Sequence, residues 1–100
     1  MMLMRLGIVT RYHRCESTMA ALRIADWARS LGGDVTLYAR DPGSSSVSHW
    51  DKHVRENAAM RFTDWSKHRD AVLWTQTPPV EQIEWCKKHK IRVLILSLFH

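Results

Sequence analysis

The feature that most constrains the fold is a strand–helix–strand pattern near the amino terminus. Residues 5–10 (RLGIVT) are short and apolar, and residues 34–39 (DVTLYA) form a second segment of the same kind. Between them, from Ala21 to Leu31, apolar side chains recur at steps of three and four, as on one face of a helix. Two strands joined in this way are parallel, and the crossover between them is right-handed. The amino-terminal part therefore predicts a βαβ unit.

The rest of the chain continues this alternation. Residues 71–76 (AVLWTQ) and 91–96 (IRVLIL) predict two buried strands, the last one central or covered on both faces. The prolines at 78–79 predict the start of a helix that runs to Lys90, because proline suits the first turn. Residues 58–63 (AAMRFT) predict a further strand. Together these segments predict an α/β fold: an open, mostly parallel five-stranded sheet with flanking helices, which is Rossmann-like.

Length and composition indicate a single domain. A chain of 100 residues makes one compact unit, or half of a larger protein. Hydrophobic residues make up 45% and charged residues 25%, which is ordinary for a soluble globular protein. No apolar run approaches the roughly 20 residues that span a bilayer, and the start, MMLMRLGIV, is too short for a secretory signal. We expect one Rossmann-like domain over residues 1–100, cytoplasmic and without a membrane span.

The chain is basic, with a formal net charge of +5 and a pI of about 9.7. This balance permits an anionic partner. The cations are spread along the sequence, however, and the run KKHK at 87–90 suits the negative end of a helix dipole. Because no nucleic-acid recognition motif accompanies them, binding of DNA or RNA is not favoured.

The loop after the first strand is the strongest candidate for a ligand site. In an open parallel sheet the ligand crevice lies outside the carboxyl ends of the strands. Loops at that edge carry cations near a helix amino terminus, whose free N–H groups also favour anions. The predicted binding residues are Arg11, His13, Arg14, Gln76 and Thr77. The alternative is that the loop cations are solvated, with Glu16 pairing one arginine, and both interpretations stay open.

Several kinds of site are excluded or disfavoured. Neither GxGxxG nor GxxxxGK[ST] occurs, so no dinucleotide fingerprint or P-loop is present, and we predict no cofactor. His49 and His53 could share a helical face, but two solvated histidines are favoured over a metal pair, and we predict no metal. Cys15, beside His13 and Arg14, is a nucleophile only if its pKa is lowered. We favour a spectator thiol and predict no catalytic residue.

The remaining cysteine and the tryptophans are assigned mainly to packing. Cys86 falls on the apolar side of its helix, which predicts a core position. Three tryptophans on predicted helices or strands are expected to pack in the core: Trp27, Trp74 and Trp85. Trp50 and Trp65 lie in the irregular middle of the chain, where covering a sheet edge is favoured over stacking on a sugar or base.

Two long segments resemble a known family. Residues 6–40 (LGIVTRYHRCESTMAALRIADWARSLGGDVTLYAR) resemble the opening of GT-B-type glycosyltransferases: strand, loop, helix, glycine turn and a D-V-T-L strand. Residues 70–96 (DAVLWTQTPPVEQIEWCKKHKIRVLIL) resemble a later stretch of the same half. RYHRCE at 11–16 stands where these enzymes often carry a glycine pair. The resemblance implies an N-terminal, acceptor-side half, because 100 residues are too few to include the second domain that holds most of the nucleotide-sugar donor site.

Two functions follow as hypotheses. In the first, the chain resembles the acceptor-side domain of a glycosyltransferase and binds a nucleotide sugar, phosphate or sugar at the carboxyl ends of the strands. It does not transfer a sugar alone, because the second domain is lacking. The alternative is a non-enzymatic interaction module that dimerises, or docks on a second domain, through an apolar sheet edge or face. The apolar run LILSLF at 94–99, with no following helix to cover it, motivates this alternative.

Overall fold

The computed structural model describes residues 4–10, 16–39 and 60–96. Within them the chain alternates between strands and helices. The strands are β1 (Arg5–Val9), β2 (Asp34–Tyr38), β3 (Ala71–Trp74) and β4 (Arg92–Ile95). The helices are α1 (Glu16–Ser30), α2 (Phe62–Ser66) and α3 (Val80–Lys88).

The described strands form one parallel sheet in the order β2-β1-β3-β4. Val9, at the end of β1, stands opposite Tyr38 of β2 and Trp74 of β3. These three strands therefore end together at one edge of the sheet. The predicted α/β class, the parallel sheet and the amino-terminal βαβ unit are confirmed.

One face of the sheet packs against α1 through small side chains. Ala21 and Ala25 are fully buried against a floor that includes Ile8 and Leu37. Small residues let the helix lie close to the strands, as the apolar periodicity predicted. The helix ends at a glycine turn, where Gly32 has a φ of 87° that a side chain would disfavour.

The opposite face carries α2 and α3 over an aromatic core. Its buried members include Tyr38, Phe62, Trp65, Trp74 and Cys86. Phe62 lies 5.8 Å from both Trp65 and Trp74, measured between ring centroids, in tilted pairs. The predicted core positions of Trp74 and Cys86 are confirmed, and Trp85 packs against the same cluster while remaining partly exposed.

The strand predicted at residues 58–63 is wrong where the structure describes it. Phe62 begins α2, and residues 58 and 59 lie outside the described part of the chain. Phe62, Trp65 and Ser66 are all buried, and their spacing of three and four residues puts them on one helical face. The described sheet accordingly has four strands, where five were predicted. Trp65, expected to cover a sheet edge, lies in the interior instead.

Three further expectations are corrected, at the outer strand, on α1 and at the end of α3. β4, predicted to be central or covered on both faces, is at the edge of the described sheet, with Leu94 and Ile95 exposed. Trp27, predicted to pack in the core, is 66% exposed. The helix predicted to reach Lys90 ends at Lys88, because the chain turns into a left-handed conformation at residue 90.

Candidate functional site at the carboxyl edge of the sheet

Backbone hydrogen bonds join the carboxyl ends of all four described strands to their neighbours. The Thr75 amide donates to the Val9 carbonyl at 3.2 Å, and the Thr10 amide donates to the Tyr38 carbonyl at 2.9 Å. Past the regular strands, Leu96 N–H donates to the Trp74 carbonyl at 2.9 Å. These bonds extend the sheet by one residue and give its carboxyl edge a fixed backbone.

Two threonine hydroxyls meet at the centre of this edge. Thr75 Oγ1 lies 3.3 Å from Thr10 Oγ1 and also donates to the Val9 carbonyl at 3.3 Å. Both threonines are buried. Because their hydroxyls bond to the protein itself, the two threonines form part of the buried structure at this edge.

The direction in which successive strands are added to the sheet reverses at this point. From β1 the chain passes through α1 to β2 on one side, whereas β3 and β4 lie on the other side of β1. The helices that follow β1 and β3, α1 and α3, pack on opposite faces of the sheet, so the carboxyl ends of β1 and β3 form a switch point. In doubly wound sheets ligands bind at such a switch point.

Two of the predicted binding residues lie at this end of the sheet. Gln76, half-buried, and Thr77, exposed, directly follow Thr75. Arg11, His13 and Arg14 lie outside the described residues, so their place in the site stays a prediction.

The loop after β3 is held by contacts to α3. Trp74 Nε1 donates to Gln82 Oε1 at 3.0 Å, and Pro79, with a φ of −62° and a ψ of 140°, precedes the first turn of the helix. Pro79 has extended backbone and lies immediately before α3, so the prolines at 78–79 mark the start of this helix as the sequence predicted. Gln76 and Thr77 thus sit on a segment anchored at both ends.

The described residues carry no metal site or activated nucleophile. No group of three histidine, cysteine, aspartate or glutamate side chains in them could hold a metal ion. His49, His53 and Cys15 lie outside the described part of the chain. Burial raises the pKa of the Cys86 thiol to about 11, which keeps it protonated and unreactive at neutral pH.

The opposite, amino edge of the sheet holds paired charges. Asp70 accepts from the Arg5 amide at 2.8 Å and from Arg5 Nη2 at 3.0 Å. The hydrogen bonds from Arg5 hold the pKa of Asp70 below its usual range and raise that of Arg5. Arg69 Nη1 lies 3.5 Å from Asp34 Oδ2. Within each pair the two charges neutralise each other, and the pairs connect residues at or just before the starts of β1, β2 and β3. Their role is therefore structural.

A second surface, which the sequence analysis did not identify, is an apolar groove beside α1. Leu73 and Leu94 of the sheet line one side of it, and Ile24 and Trp27 of α1, with Leu31 directly after the helix, line the other. Its volume is about 540 Å³. We call this surface the α1 groove. Leu31, predicted to lie on the apolar face of the helix with Ala21, is exposed here, and its spacing of four residues from Trp27 was the available sequence signal.

The chain matches no protein-family model, and neither the curated proteins nor the solved structures include a significant match to it. The resemblance to glycosyltransferases therefore stays a prediction. Among the residues that the structure describes, no helix has the length and apolar character needed to cross a membrane.

Proposed function

We propose that the chain is a Rossmann-like domain that binds an anionic sugar derivative at the carboxyl edge of its sheet. The observation that carries the proposal is the switch point between the carboxyl ends of β1 and β3, where Thr10 and Thr75 meet and Gln76 and Thr77 follow. In this proposal the domain resembles the acceptor-side half of a GT-B glycosyltransferase and does not catalyse transfer alone.

The chemistry of the edge supports this class of ligand. Gln76 and Thr77 offer an amide and a hydroxyl, the groups that bind sugar hydroxyls. Arg11, His13 and Arg14, in the segment that follows Thr10 in the sequence, supply the positive charge that would attract a phosphate. Together these residue types favour a phosphorylated sugar over a neutral one.

Binding is tested by NMR titration of the ¹⁵N-labelled chain. The probes are UDP-glucose, glucose 6-phosphate and inorganic phosphate, with glucose as the uncharged comparison. We expect the phosphorylated probes to shift the amide signals of Thr10, Thr75 and Thr77, and glucose to bind more weakly. Shifts confined to the amino edge, around Arg5 and Asp70, would contradict the proposal.

Matched variants separate a site from general attraction to a basic protein. Gln76→Ala removes about one hydrogen bond, so we expect roughly fivefold weaker binding. Arg11→Ala and Arg14→Ala should each weaken the phosphorylated probes and leave glucose unchanged. The control is Lys67→Ala, which removes an exposed cation beside the amino end of β3. An equal loss in Lys67→Ala would mean non-specific attraction.

A second function, protein interaction, is favoured by the α1 groove. Large apolar side chains are exposed around it, among them Trp27 and Leu31 at 66% and 65%. Contiguous exposed apolar surface of this kind marks interaction sites in soluble proteins. Sedimentation at several protein concentrations, for the natural chain and for Trp27→Ala, shows whether this surface binds a second copy.

A further inference from the structure

The α1 groove lies on the face of the sheet that α1 only partly covers. α1 packs against β1 and β2, where its small residues meet Ile8 and Leu37. On the same face, the side chains of Leu73 in β3 and Leu94 in β4 line the groove instead of packing under a helix. The area that the described residues leave uncovered is therefore the part of this layer next to α1.

The chain topology explains why the described helices leave this area open. Right-handed crossovers that move in opposite directions along a sheet place their helices on opposite faces. The step from β1 to β2 puts α1 on one face, and the step from β3 to β4 puts α3 on the other, where Cys86 is buried. α2, in the connection from β2 to β3, also packs on that second face through Phe62 and Trp65. In an α/β fold with helices on both faces of the sheet, a helix commonly occupies such an open position.

The size of the groove fits one short helix. Its α1 wall runs from Ile24 to Leu31, about 11 Å along the helix axis at 1.5 Å per residue. A helix that presents apolar anchors at i, i+3 or i+4, and i+7 has the same length. Eleven residues line the groove, whereas a stable interface between folded proteins uses about 20–30 residues on each side. The groove alone is therefore too small to hold a second copy of the chain.

The charges beside the groove set the character of its occupant. Arg92 lies on the same strand face as Leu94, two residues away, and Arg23 lies one helical turn before Trp27. Both are exposed, and neither has an ion-pair partner among the described residues. Asp26 falls on the side of α1 turned away from the groove-lining residues. The groove is thus flanked by unpaired positive charge.

We propose that the α1 groove binds an amphipathic helix of a partner protein, with acidic residues beside its apolar stripe. The stripe packs on Leu73 and Leu94 against Trp27, and the acidic residues pair with Arg23 and Arg92. This inference rests on the protein-interaction function proposed above and names its partner.

The test measures fluorescence anisotropy of labelled peptides titrated with the full chain. The first peptide has about 16 residues, leucines at i, i+3, i+4 and i+7, and glutamates beside them. The second has lysines in place of the glutamates, and the third is the acidic peptide with a central proline that breaks the helix. We expect the acidic helical peptide to bind at least tenfold more tightly than either of the others.

Substitutions in and outside the α1 groove test whether the peptide binds there. Trp27→Ala and Leu31→Ala should each weaken the acidic peptide by about tenfold, as loss of a central apolar anchor does. The matched control is Val80→Ala, because Val80 of α3 is as exposed as Leu31, at 65%, and lies outside the groove. Arg23→Glu combined with Arg92→Glu should reduce the preference for the acidic over the basic peptide to about twofold or less. Circular dichroism checks that each variant is folded.

Four results would overturn the inference. Equal affinity for the acidic and basic peptides would show that charge does not select the partner. An equal loss of affinity in Val80→Ala would show that the peptide does not bind in the α1 groove. Self-association that Trp27→Ala abolishes, without peptide binding, would make a second copy the occupant and leave the protein-interaction function standing. A monomeric chain that binds none of the peptides at about 1 mM would overturn both the helical partner and the interaction function.

Discussion

Gly7 of β1 and Trp65 of α2 are in direct contact across the aromatic face of the sheet. A Cβ atom built on Gly7 would lie 2.6 Å from Trp65 Cη2, closer than such atoms approach in proteins. The indole has little freedom to retreat, because it stacks on Tyr38 with ring centroids 5.0 Å apart. Its Nε1 also lies 3.4 Å from Thr36 Oγ1. The absence of a side chain at residue 7 is thus what lets α2 approach the sheet.

Gly7→Ala should therefore destabilise the fold. Overpacking costs about 1–3 kcal/mol, whereas the loss of glycine's freedom in the unfolded chain returns roughly 0.4–1 kcal/mol. We expect a net loss of about 1–2 kcal/mol in the free energy of unfolding, measured by urea denaturation. In a Trp65→Leu background the same substitution should cost much less. An equal cost in both backgrounds would show that the contact with Trp65 is not the cause.

Lys90→Gly should stabilise the protein. Lys90 has a φ of 59°, its amide donates to the Lys87 carbonyl at 3.2 Å, and the Ile91 amide donates to the Cys86 carbonyl at 2.8 Å. This is the Schellman arrangement, which favours glycine at the left-handed position. We expect a gain of about 0.5–1 kcal/mol in urea denaturation. Lys88→Gly also removes a lysine, but inside α3, and should instead cost about 0.5–1 kcal/mol. Destabilisation by both substitutions would contradict this account.

The elements with strong local patterns were predictable from the sequence. α1 was found because Ala21 and Ala25 repeat at helical spacing and a glycine pair ends the stripe. β1 and β2 were found because each is short, apolar and bounded by polar or glycine residues. These features are read within a window of a few residues, so no tertiary information is needed.

The predictions were wrong where tertiary packing, rather than the local sequence, determines the structure. The sequence 58–63 alternates enough to suggest a strand, but the burial of Phe62 and Trp65 on one helical face is visible only once the sheet beneath them is known. The apolar run at β4 suggested a central strand, yet strand order, which no local pattern encodes, puts it at the edge. The α1 groove was missed for the same reason, because it combines Trp27 with Leu94 from a distant strand.

Asp70→Asn should reduce stability at neutral pH and have little effect in acid. Pairing with Arg5 lowers the pKa of Asp70 in the folded state below its ordinary value of about 4. Such a carboxylate stabilises the fold above its unfolded pKa, and the contribution disappears as the pH falls through the folded pKa. The difference in urea midpoint between the natural chain and Asp70→Asn should therefore be full above about pH 5 and shrink toward pH 2.

Two controls bear on this pH dependence. Asp26→Asn changes an exposed carboxylate that makes no ion pair within the described residues, so it should leave the urea midpoint nearly unchanged. Because the Arg5 and Asp70 side chains are both about half exposed, at 49% and 43%, added salt should also reduce the effect at neutral pH. An Asp70→Asn effect that stays constant from pH 7 to about pH 2 would contradict the role given to its charge.

Cys86 should resist thiol reagents until the protein unfolds. Its side chain is fully buried between α3 and the sheet, and burial raises its pKa to about 11, so only about 0.1% is thiolate at pH 8. In a Cys15→Ser variant, where Cys86 is the remaining cysteine, labelling with a chromogenic disulfide at pH 8 should be at least about 100-fold slower than in urea. Gly7→Ala in the same background should speed native labelling, because a less stable fold opens more often. Labelling at equal rates in buffer and in urea would contradict the core position of this thiol.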